Sequence, residues 1–198
     1  MMQPDTPGTR TATHTAAEDL KSDVHDYWNQ NPCGTQFTEL GRGSKAFYDE
    51  VERFRYATQP FMSRLCGFDN FAGKRLLEIG CGLGTDLLQF ARAGAITTGV
   101  DLTEESVALA KKRFELYGVP GDFQVADAEK LPFAADSFDA VYSFGVLHHT
   151  PDTQKAIDEV YRVLKPGGKI VIMLYHKQSL HVWLGVPLYF LYGLIQGK

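Results

Sequence analysis

The sequence predicts an α/β fold in which a mainly parallel sheet is covered on both faces by helices, giving three layers. Two observations predict it. Short apolar runs that suit strands alternate with helical patterns from residue 75 to residue 175, and parallel strands joined by right-handed crossovers produce that order. A glycine-rich turn at residues 80–84 also joins the first of these strands to the first helix of the core. Such turns are typical of ligand-binding α/β domains.

The individual elements of this core follow from apolar periodicity. The predicted strands are 75–79, 96–101, 122–126, 138–144 and 168–175, and the predicted helices are 85–93, 103–117 and 152–164. Thr103 is expected to cap its helix through an incomplete capping box, because Ser106 stands where Glu is usual. The last helix is expected to stop at a tight turn, 165–168, where Pro166 cannot continue it and two glycines supply positive φ.

The first 70 residues predict a tail followed by a helical cap. Residues 1–20 contain five threonines, two prolines and almost no large apolar side chain, which indicates a disordered or loosely attached tail. A capped helix is expected to start at Ser22, with a turn at 31–34 after it. A second helical segment spans 45–66 and is interrupted by Pro60. We therefore expect a single domain, 21–198, with a cap at 21–70 and a cofactor-binding core at 71–178.

A carboxylate accompanies the glycine turn on each side in the sequence. Glu78 stands two residues before Gly80, and Asp101 closes the second strand, where doubly wound folds bind a ribose diol. The glycines leave no Cβ between a ligand and the main chain at the helix N-terminus. Thr85 occupies the position of the third glycine of a dinucleotide fingerprint, and Glu78 suits a cationic ligand better than a pyrophosphate. The turn therefore predicts a site for a cationic nucleoside, with close strand–helix packing as the structural alternative.

Four segments of the chain resemble the class I S-adenosylmethionine-dependent methyltransferases, and the likeness runs from about residue 24 to residue 175. They are 78–84, 99–101, 126–133 and 163–168. The resemblance implies a Rossmann-like fold with strand order 3-2-1-4-5. It also implies S-adenosylmethionine as cofactor and S-adenosylhomocysteine as product, as in quinone and sterol methyltransferases.

The resemblance also implies the cofactor contacts. The glycine turn would back the methionine part, Asp101 would bind both ribose hydroxyls, and Asp127 with the amide of Ala128 would read the adenine edge. Ser143 and Phe144 would lie beside the methionine and the methyl group. The predicted cofactor-binding residues are Glu78, Gly80, Cys81, Gly82, Gly84, Asp101, Leu102, Asp127, Ala128, Ser143, Phe144, Tyr27 and Tyr56.

Aromatic residues of the cap are further candidates, because in similar enzymes these segments close over the cofactor or the acceptor. We expect at least one of four aromatic residues to contact the ligand, although core packing explains any single one of them equally well. The four are Tyr27, Trp28, Tyr48 and Tyr56. In the glycine turn, Cys81 suits a small apolar filler better than a nucleophile.

Three histidines follow the fourth and fifth strands and are the candidate catalytic residues: His148, His149 and His176. An open parallel sheet binds its ligand at the carboxyl ends of its strands, and imidazole accepts a proton near neutral pH. The alternative is that His149 begins a turn and His176 is a solvated strand end. No carboxylate shows ligand spacing with them, so no metal site is predicted. Methyl transfer depends mainly on alignment, and a base is needed only for a protonated acceptor.

Composition and one missing motif limit the classes of function that fit this sequence. A net charge of -4 over 198 residues offers no basic face for nucleic acid, and three cysteines without a CxxC pattern or a leader favour a cytoplasmic location. The end of the fourth strand lacks the Asn/Asp-Pro-Pro-aromatic motif of relatives that methylate base nitrogens, which favours a small-molecule O, N or C acceptor. Two other classes stay open: a nicotinamide-dependent oxidoreductase, disfavoured by Thr85 and Glu78, and a non-catalytic protein that binds S-adenosylmethionine.

The C-terminal segment, 179–198, is strongly apolar. Only 23 residues follow Tyr175, too few for the helix and two-stranded hairpin that usually complete this sheet, so we expect that strand pair to be missing. Residues 180–195 are shorter than the ~20 residues of a membrane span, so no span is predicted. We expect them to pack over the acceptor pocket or at the interface of a homodimer.

Overall fold

A computed structural model describes residues 16–176, and its centre is a parallel sheet of five strands in the order β3-β2-β1-β4-β5. The strands are β1 Arg75–Ile79, β2 Ile96–Asp101, β3 Asp122–Val125, β4 Phe138–Phe144 and β5 Leu164–Met173. In the middle of the sheet, Leu77 lies opposite Thr98 of β2 and Val141 of β4. The predicted strand order and parallel arrangement are confirmed.

Helices cover both faces of this sheet. They are α1 Ala16–Gln30, α2 Lys45–Thr58, α3 Met62–Cys66, α4 Thr85–Arg92, α5 Glu104–Tyr117 and α6 Thr153–Val163. Side chains alternate along β1, so Leu76 packs with α4 and α5 on one face, and Leu77 packs with α6 on the other. Full burial of each such side chain contributes about 1.5–3 kcal/mol. The three predicted layers are confirmed.

The cap is built mainly by α2, which lies against the glycine turn. Ser44 caps this helix, since its hydroxyl accepts a hydrogen bond from the Phe47 N–H at 3.2 Å. The buried face of α2, with Phe47 and Val51, packs against Leu83 of the glycine turn. The helix ends before Pro60, as predicted, because proline lacks the N–H that would continue it.

Helix α1 begins at Ala16, not at Ser22, so residues 16–20 are helical and do not belong to a disordered tail. The sequence pattern missed this start because α1 has no fully buried residue and therefore shows little apolar periodicity. Glu18 and Asp19 in its first turn suit the positive end of the helix dipole.

Two local predictions in the core also need correction. Strand β5 begins at Leu164, not at 168, and pairs there with Phe138 before its register shifts. Gly167 still has the positive φ, 77°, that the sequence suggested, but it lies within this irregular strand and not in a turn before it. Thr103 precedes α5 without capping it, because its hydroxyl contacts Asp101 and Ser106 instead.

The predictions for residues 1–15, for the apolar segment 179–198 and for the missing strand pair lie outside the described residues. Within residues 16–176, no helix is both long enough and apolar enough to cross a membrane.

Candidate active site

A cavity of about 700 Å³ lies at the carboxyl ends of the strands, between the sheet and the cap. The core side of its wall comes from the glycine turn and from the segments that follow β2, β3, β4 and β5. The cap side comes from α1, α2 and α3 and from the segments that join them, including residues 33–37. The core residues that line it are Glu78, Ile79, Gly80, Cys81, Gly82, Leu83, Thr85, Asp86, Asp101, Leu102, Thr103, Ser106, Ala126, Asp127, Ala128, Phe144, Gly145, Val146, His149, Thr150, Pro151, Met173 and Tyr175. This is the edge at which an open parallel sheet binds ligands.

The glycine turn exposes its backbone to this cavity at Gly82. Gly80 has φ 74°, and a Cβ on it would lie 2.3 Å from Cγ2 of Val146, so only glycine fits there. Gly82 has φ 50°, and its nearest neighbour would be 4.0 Å away, so the space beside it is open. Gly84 does not line the cavity; it faces Ala110 and Phe114 and ends the turn at the start of α4. The turn can therefore receive a ligand directly on its main chain.

Asp101 joins the glycine turn to the start of α5. Its Oδ2 accepts a hydrogen bond from the Gly82 N–H at 2.9 Å, and its Oδ1 accepts from the N–H and the hydroxyl of Thr103 at 3.1 and 3.0 Å. Burial raises the pKa of this carboxyl group above its ordinary value, although these hydrogen bonds oppose the shift. The carboxylate is thus fixed in position at the cavity wall, beside the turn.

Glu78 is a buried carboxylate with an unused oxygen. Its side chain is 4% exposed and lines the cavity, and its Oε2 atom has no hydrogen-bond partner among residues 16–176. Burial, reinforced by the nearby charge of Asp86, raises the pKa of Glu78 well above its ordinary value. A cationic group in the cavity would offset that cost, so the site fits the ammonium end of S-adenosylmethionine.

Cys81, in the glycine turn, is also buried. Burial, with the nearby charge of Asp101, raises the pKa of its thiol well above the ordinary value, so the thiol stays protonated. It lines the cavity as a small, unreactive side chain, in keeping with the predicted apolar filler.

Asp86, in the first turn of α4, is the centre of a buried polar network that the sequence did not reveal. Arg55 of α2 donates from Nε to Asp86 Oδ1 at 2.7 Å and from Nη2 to Oδ2. The hydroxyl of Tyr56 donates to Oδ1 at 2.9 Å, and that of Tyr142 donates to Oδ2 at 2.7 Å. Tyr56 does not line the cavity, so its predicted cofactor contact is replaced by this role in joining α2 to the core.

Asp127 and Ala128 line the cavity after β3, where the resemblance expects the adenine edge. A cap residue already contacts this carboxylate: Lys21 of α1 donates from Nζ to Asp127 Oδ2 at 2.6 Å and to Glu129 Oε2 at 2.8 Å. Sequence reasoning missed Lys21, because no local motif marks a lysine that reaches across 106 positions. The lysine brings α1 over the end of the cavity expected to hold the adenine.

At the end of β4, the two residues predicted to lie beside the methionine, Ser143 and Phe144, point in different directions. Phe144 lines the cavity, with the Arg55 guanidinium carbon 5.1 Å from its ring centroid. Ser143 points the other way: it is buried and donates its hydroxyl hydrogen bond to the Ile79 carbonyl at 2.9 Å. Because successive side chains of a strand point to opposite faces, only one of the pair can reach the cavity.

Two of the three candidate histidines lie together, since the ring centroids of His148 and His149 are 4.2 Å apart. His149 lines the cavity beside Trp28 and Tyr175, whose ring centroids lie 6.0 and 6.4 Å from its own. His148 packs against Tyr175, with 4.3 Å between the ring centroids, but does not line the cavity, and burial together with the adjacent His149 lowers its pKa. His176 is exposed and also lies off the wall. Of the three candidates, the structure therefore brings only His149 to the cavity.

Of the four cap aromatics named from the sequence, only Trp28 lines the cavity. Tyr27 is 59% exposed, packs edge-on against Trp28 and does not line the cavity. Tyr48 is buried and donates its hydroxyl to the Leu109 carbonyl at 2.7 Å, which is the core-packing alternative. On a helix with no fully buried residue, only the tertiary contact of α1 with the core decides which aromatic faces inward.

Comparison with known proteins shows which family this chain resembles. Residues 77–172 match the family model described as a methyltransferase domain. A 27-O-demethylrifamycin SV methyltransferase of Amycolatopsis mediterranei (strain S699) is 38% identical over 128 residues, covering 63% of this chain and 47% of the relative. A cycloartenol-C-24-methyltransferase of Arabidopsis thaliana is 40% identical over 153 residues, covering 75% of this chain and 43% of the relative.

A solved structure shows the same fold. The magnesium protoporphyrin IX methyltransferase of Synechocystis PCC 6803 superimposes with a TM-score of 0.64 at 22% identity, covering 86% of this chain and 78% of that one. Fold, cavity and family match together define a methyltransferase domain. The comparisons therefore support the resemblance of this chain to the class I S-adenosylmethionine-dependent methyltransferases. It spans less than half the length of the two curated relatives compared above.

Proposed function

We propose that this protein transfers a methyl group from S-adenosylmethionine to the O, N or C atom of a small-molecule acceptor. The observation that carries the proposal is the charge of the cavity wall. Four carboxylates line it within residues 16–176, against two cationic side chains, Lys21 and Arg55. Both of these cations are already paired with wall carboxylates, which leaves Glu78 and Asp101 without a cationic partner of their own. A ligand that carries ammonium and sulfonium charges complements that excess.

The residues then have separable roles. Glu78 would hold the ammonium group, and the main chain at Gly82 would support the methionine part. Asp101 would accept the ribose hydroxyls mainly at Oδ2, which accepts one hydrogen bond and keeps a free lone pair, whereas Oδ1 already accepts two from Thr103. Asp127 and the Ala128 amide would bind the adenine edge, with Leu102 as an apolar neighbour on the wall.

Catalysis in this proposal rests on alignment. When bound, S-adenosylmethionine supplies the methyl group in an in-line displacement that discharges the sulfonium. The chain holds donor and acceptor in line and excludes water, and such positioning supplies about 7–11 kcal/mol. His149 lines the cavity and would accept a proton only from an acceptor that carries one.

The two rival functions are separable by experiment. For a dinucleotide, Thr85 replaces the third glycine, and its hydroxyl accepts a hydrogen bond from the buried Arg113 at 2.8 Å, so the position serves packing. A thermal-shift panel with S-adenosylmethionine, S-adenosylhomocysteine and NAD distinguishes the classes, and stabilisation by NAD alone would support the oxidoreductase. Transfer of a labelled methyl group into a metabolite extract then distinguishes an enzyme from a protein that only binds the cofactor.

Asp101 offers the sharpest variant for this test. Asp101→Asn keeps the shape but removes the charge, and loss of charge-assisted hydrogen bonds worth about 1.5–3 kcal/mol each should weaken S-adenosylhomocysteine binding at least tenfold. Asp158→Asn, at an exposed position of α6, is the matched control and should bind normally. Calorimetry with equal affinity for the two variants would overturn the assignment of Asp101.

The cytoplasmic location and the homodimer stay predictions. The first rests on cysteine usage, and the second on the apolar residues 180–195, which lie outside the described part of the chain.

A further inference from the structure

The cap side of the cavity wall differs in chemistry from the carboxylate-rich core side. Phe37, Phe54, Phe61 and Leu65 all line it, and they are 38–60% exposed. Phe144 and Met173 continue the apolar wall from the ends of β4 and β5. Apolar side chains that remain this exposed within a cavity favour an apolar ligand.

Two of these rings already form a stack. The centroids of Phe37 and Phe54 are 4.2 Å apart, with an interplanar angle of 20°. Phe54 lies on α2, whereas Phe37 lies in the short 3-10 turn Thr35–Phe37, so tertiary structure fixes the pair. Aromatic surfaces of this kind bind a planar ring by offset stacking or edge contact.

Gln59 adds a polar group without a partner. The backbone of Gln59 is satisfied, because its N–H donates to the Arg55 carbonyl at 2.9 Å and its own carbonyl accepts from the Met62 N–H at 3.0 Å. Its side chain lines the cavity, yet Oε1 is buried without a hydrogen-bond partner in the described part of the chain. A buried carbonyl oxygen without a donor is costly, and the terminal torsion of glutamine is soft enough to turn that oxygen toward a ligand.

This part of the wall carries no uncompensated charge among residues 16–176. Arg55 is its charged member on α2, and its guanidinium is held by Asp86. Burying an ionised acceptor against Phe54 and Phe61 without a counter-ion would therefore be unfavourable.

We propose that this cap surface is the acceptor subsite and that it takes an uncharged small molecule with a planar ring and one hydroxyl or N–H donor. Gln59 is its specificity-determining residue, since its amide oxygen accepts that donor and fixes the orientation of the ring against Phe37 and Phe54. The inference rests on the proposed function, because continuity with the cofactor part of the cavity identifies the occupant as the methyl acceptor.

A matched pair of probes tests the subsite. The dissociation constants of 2-naphthol, which has the donor, and 2-methoxynaphthalene, which lacks it, are measured by NMR titration at saturating S-adenosylhomocysteine. The nearly isosteric Gln59→Met should lower the affinity for 2-naphthol relative to 2-methoxynaphthalene about fivefold, the effect of one hydrogen bond. Phe54→Ala should weaken both probes.

Matched controls lie on α6. Gln154→Met and Tyr161→Ala change an exposed glutamine and a 79% exposed tyrosine that do not line the cavity, so both should bind the probes as the unaltered protein does. An unchanged probe ratio in Gln59→Met would overturn the role of Gln59. Failure of both probes to bind would overturn the subsite.

Failure of the proposed function gives a different result. It appears as absence of S-adenosylhomocysteine binding by the unaltered protein, which is measured first. In that case the titrations are repeated without S-adenosylhomocysteine, and the same dependence on Gln59 is required for the subsite to stand.

Discussion

Arg55 of the cap and Asp86 of the core form a bidentate ion pair, with 2.7 Å between Nε and Oδ1. Asp86 is 3% exposed, so its charge depends on the partners that the protein supplies. The pair fixes α2 over the start of α4, and it does so directly behind the glycine turn. The cap is therefore tied to the core by charge as well as by apolar packing.

Replacing Arg55 should destabilise the protein, because the buried charge of Asp86 would lose its cationic partner. Arg55→Met should lower the free energy of unfolding by about 3 kcal/mol, because it leaves Asp86 with hydroxyl donors alone. Tyr56→Phe removes one hydrogen bond to a charged group and should cost about 1.5 kcal/mol. Both values are measured by urea unfolding.

A control for this measurement lies on the same helix. Arg53 is 76% exposed and pairs with Glu50 one turn away, so Arg53→Met should change stability by no more than about 0.5 kcal/mol. Equal losses for the two arginine variants would show that Asp86 does not depend on Arg55.

The parts of the molecule that could be predicted from sequence are those set by local patterns. Strands β1 and β2 have the predicted limits because apolar runs, a glycine turn and a closing Asp101 mark them within a few residues. The glycine turn, Asp101 and Asp127 could be placed at one edge because parallel strands end together. Helix α1 started earlier than predicted because polar contacts, not an apolar stripe, hold it to the core.

Other site residues depend on tertiary contacts that no local pattern records. Lys21, Arg55 and Gln59 reach the cavity from the cap, and their partners or neighbours are distant in sequence. Ser143 and Phe144 are adjacent, and a motif match alone could not decide which of them faces inward. Arg113 of α5 is fully buried against α2, a position that its residue type argues against.

Proton release should accompany cofactor binding because of Glu78. Its pKa is raised by burial in the free protein, and an ammonium group placed beside it would lower that pKa again. Binding then releases a proton, so the affinity for S-adenosylhomocysteine should increase with pH and level off once Glu78 is ionised in the free protein. Calorimetry in buffers with different ionisation enthalpies measures the protons released.

Glu78→Gln should remove most of this release, whereas Glu115→Gln, at an exposed position of α5, should leave it unchanged. The same proton count in Glu78→Gln would assign the release to another group, with Asp101 the first to examine, since burial raises its pKa as well.

Helix α1 should be held less firmly as the pH rises. His25 hydrogen-bonds to Asp26 and to Glu104 of α5, and these bonds raise its pKa above the ordinary value of 6.5. A raised pKa in the folded state means that the contribution is fully present below about pH 6.5 and is lost as the pH passes through the folded value. Hydrogen exchange, corrected for intrinsic rates, should show lower protection of α1 at pH 8.5 than at pH 6, with α6 unchanged.

His25→Gln supplies the control for that experiment, because glutamine keeps a hydrogen bond but does not titrate near neutral pH. Protection of α1 should then be the same at both pH values. A pH dependence of equal size in the variant would contradict the role of His25.

Two glycines of the same turn should respond differently to alanine. In Gly80→Ala, the added Cβ meets Val146 at 2.3 Å, and φ is 74°, so strain and overpacking together should cost about 2–5 kcal/mol of stability. In Gly82→Ala, the Cβ has no neighbour closer than 4.0 Å, so the positive φ alone should cost about 1–2 kcal/mol.

The methyl group added in Gly82→Ala would nevertheless occupy the space where the ligand lies on the main chain, and the affinity for S-adenosylhomocysteine should fall at least tenfold. Gly118→Ala, at φ 64° with open space and away from the cavity, should show the same conformational cost and normal binding. Unfolding curves and calorimetry compare the three variants, and normal binding by Gly82→Ala would show that the ligand does not lie against this turn.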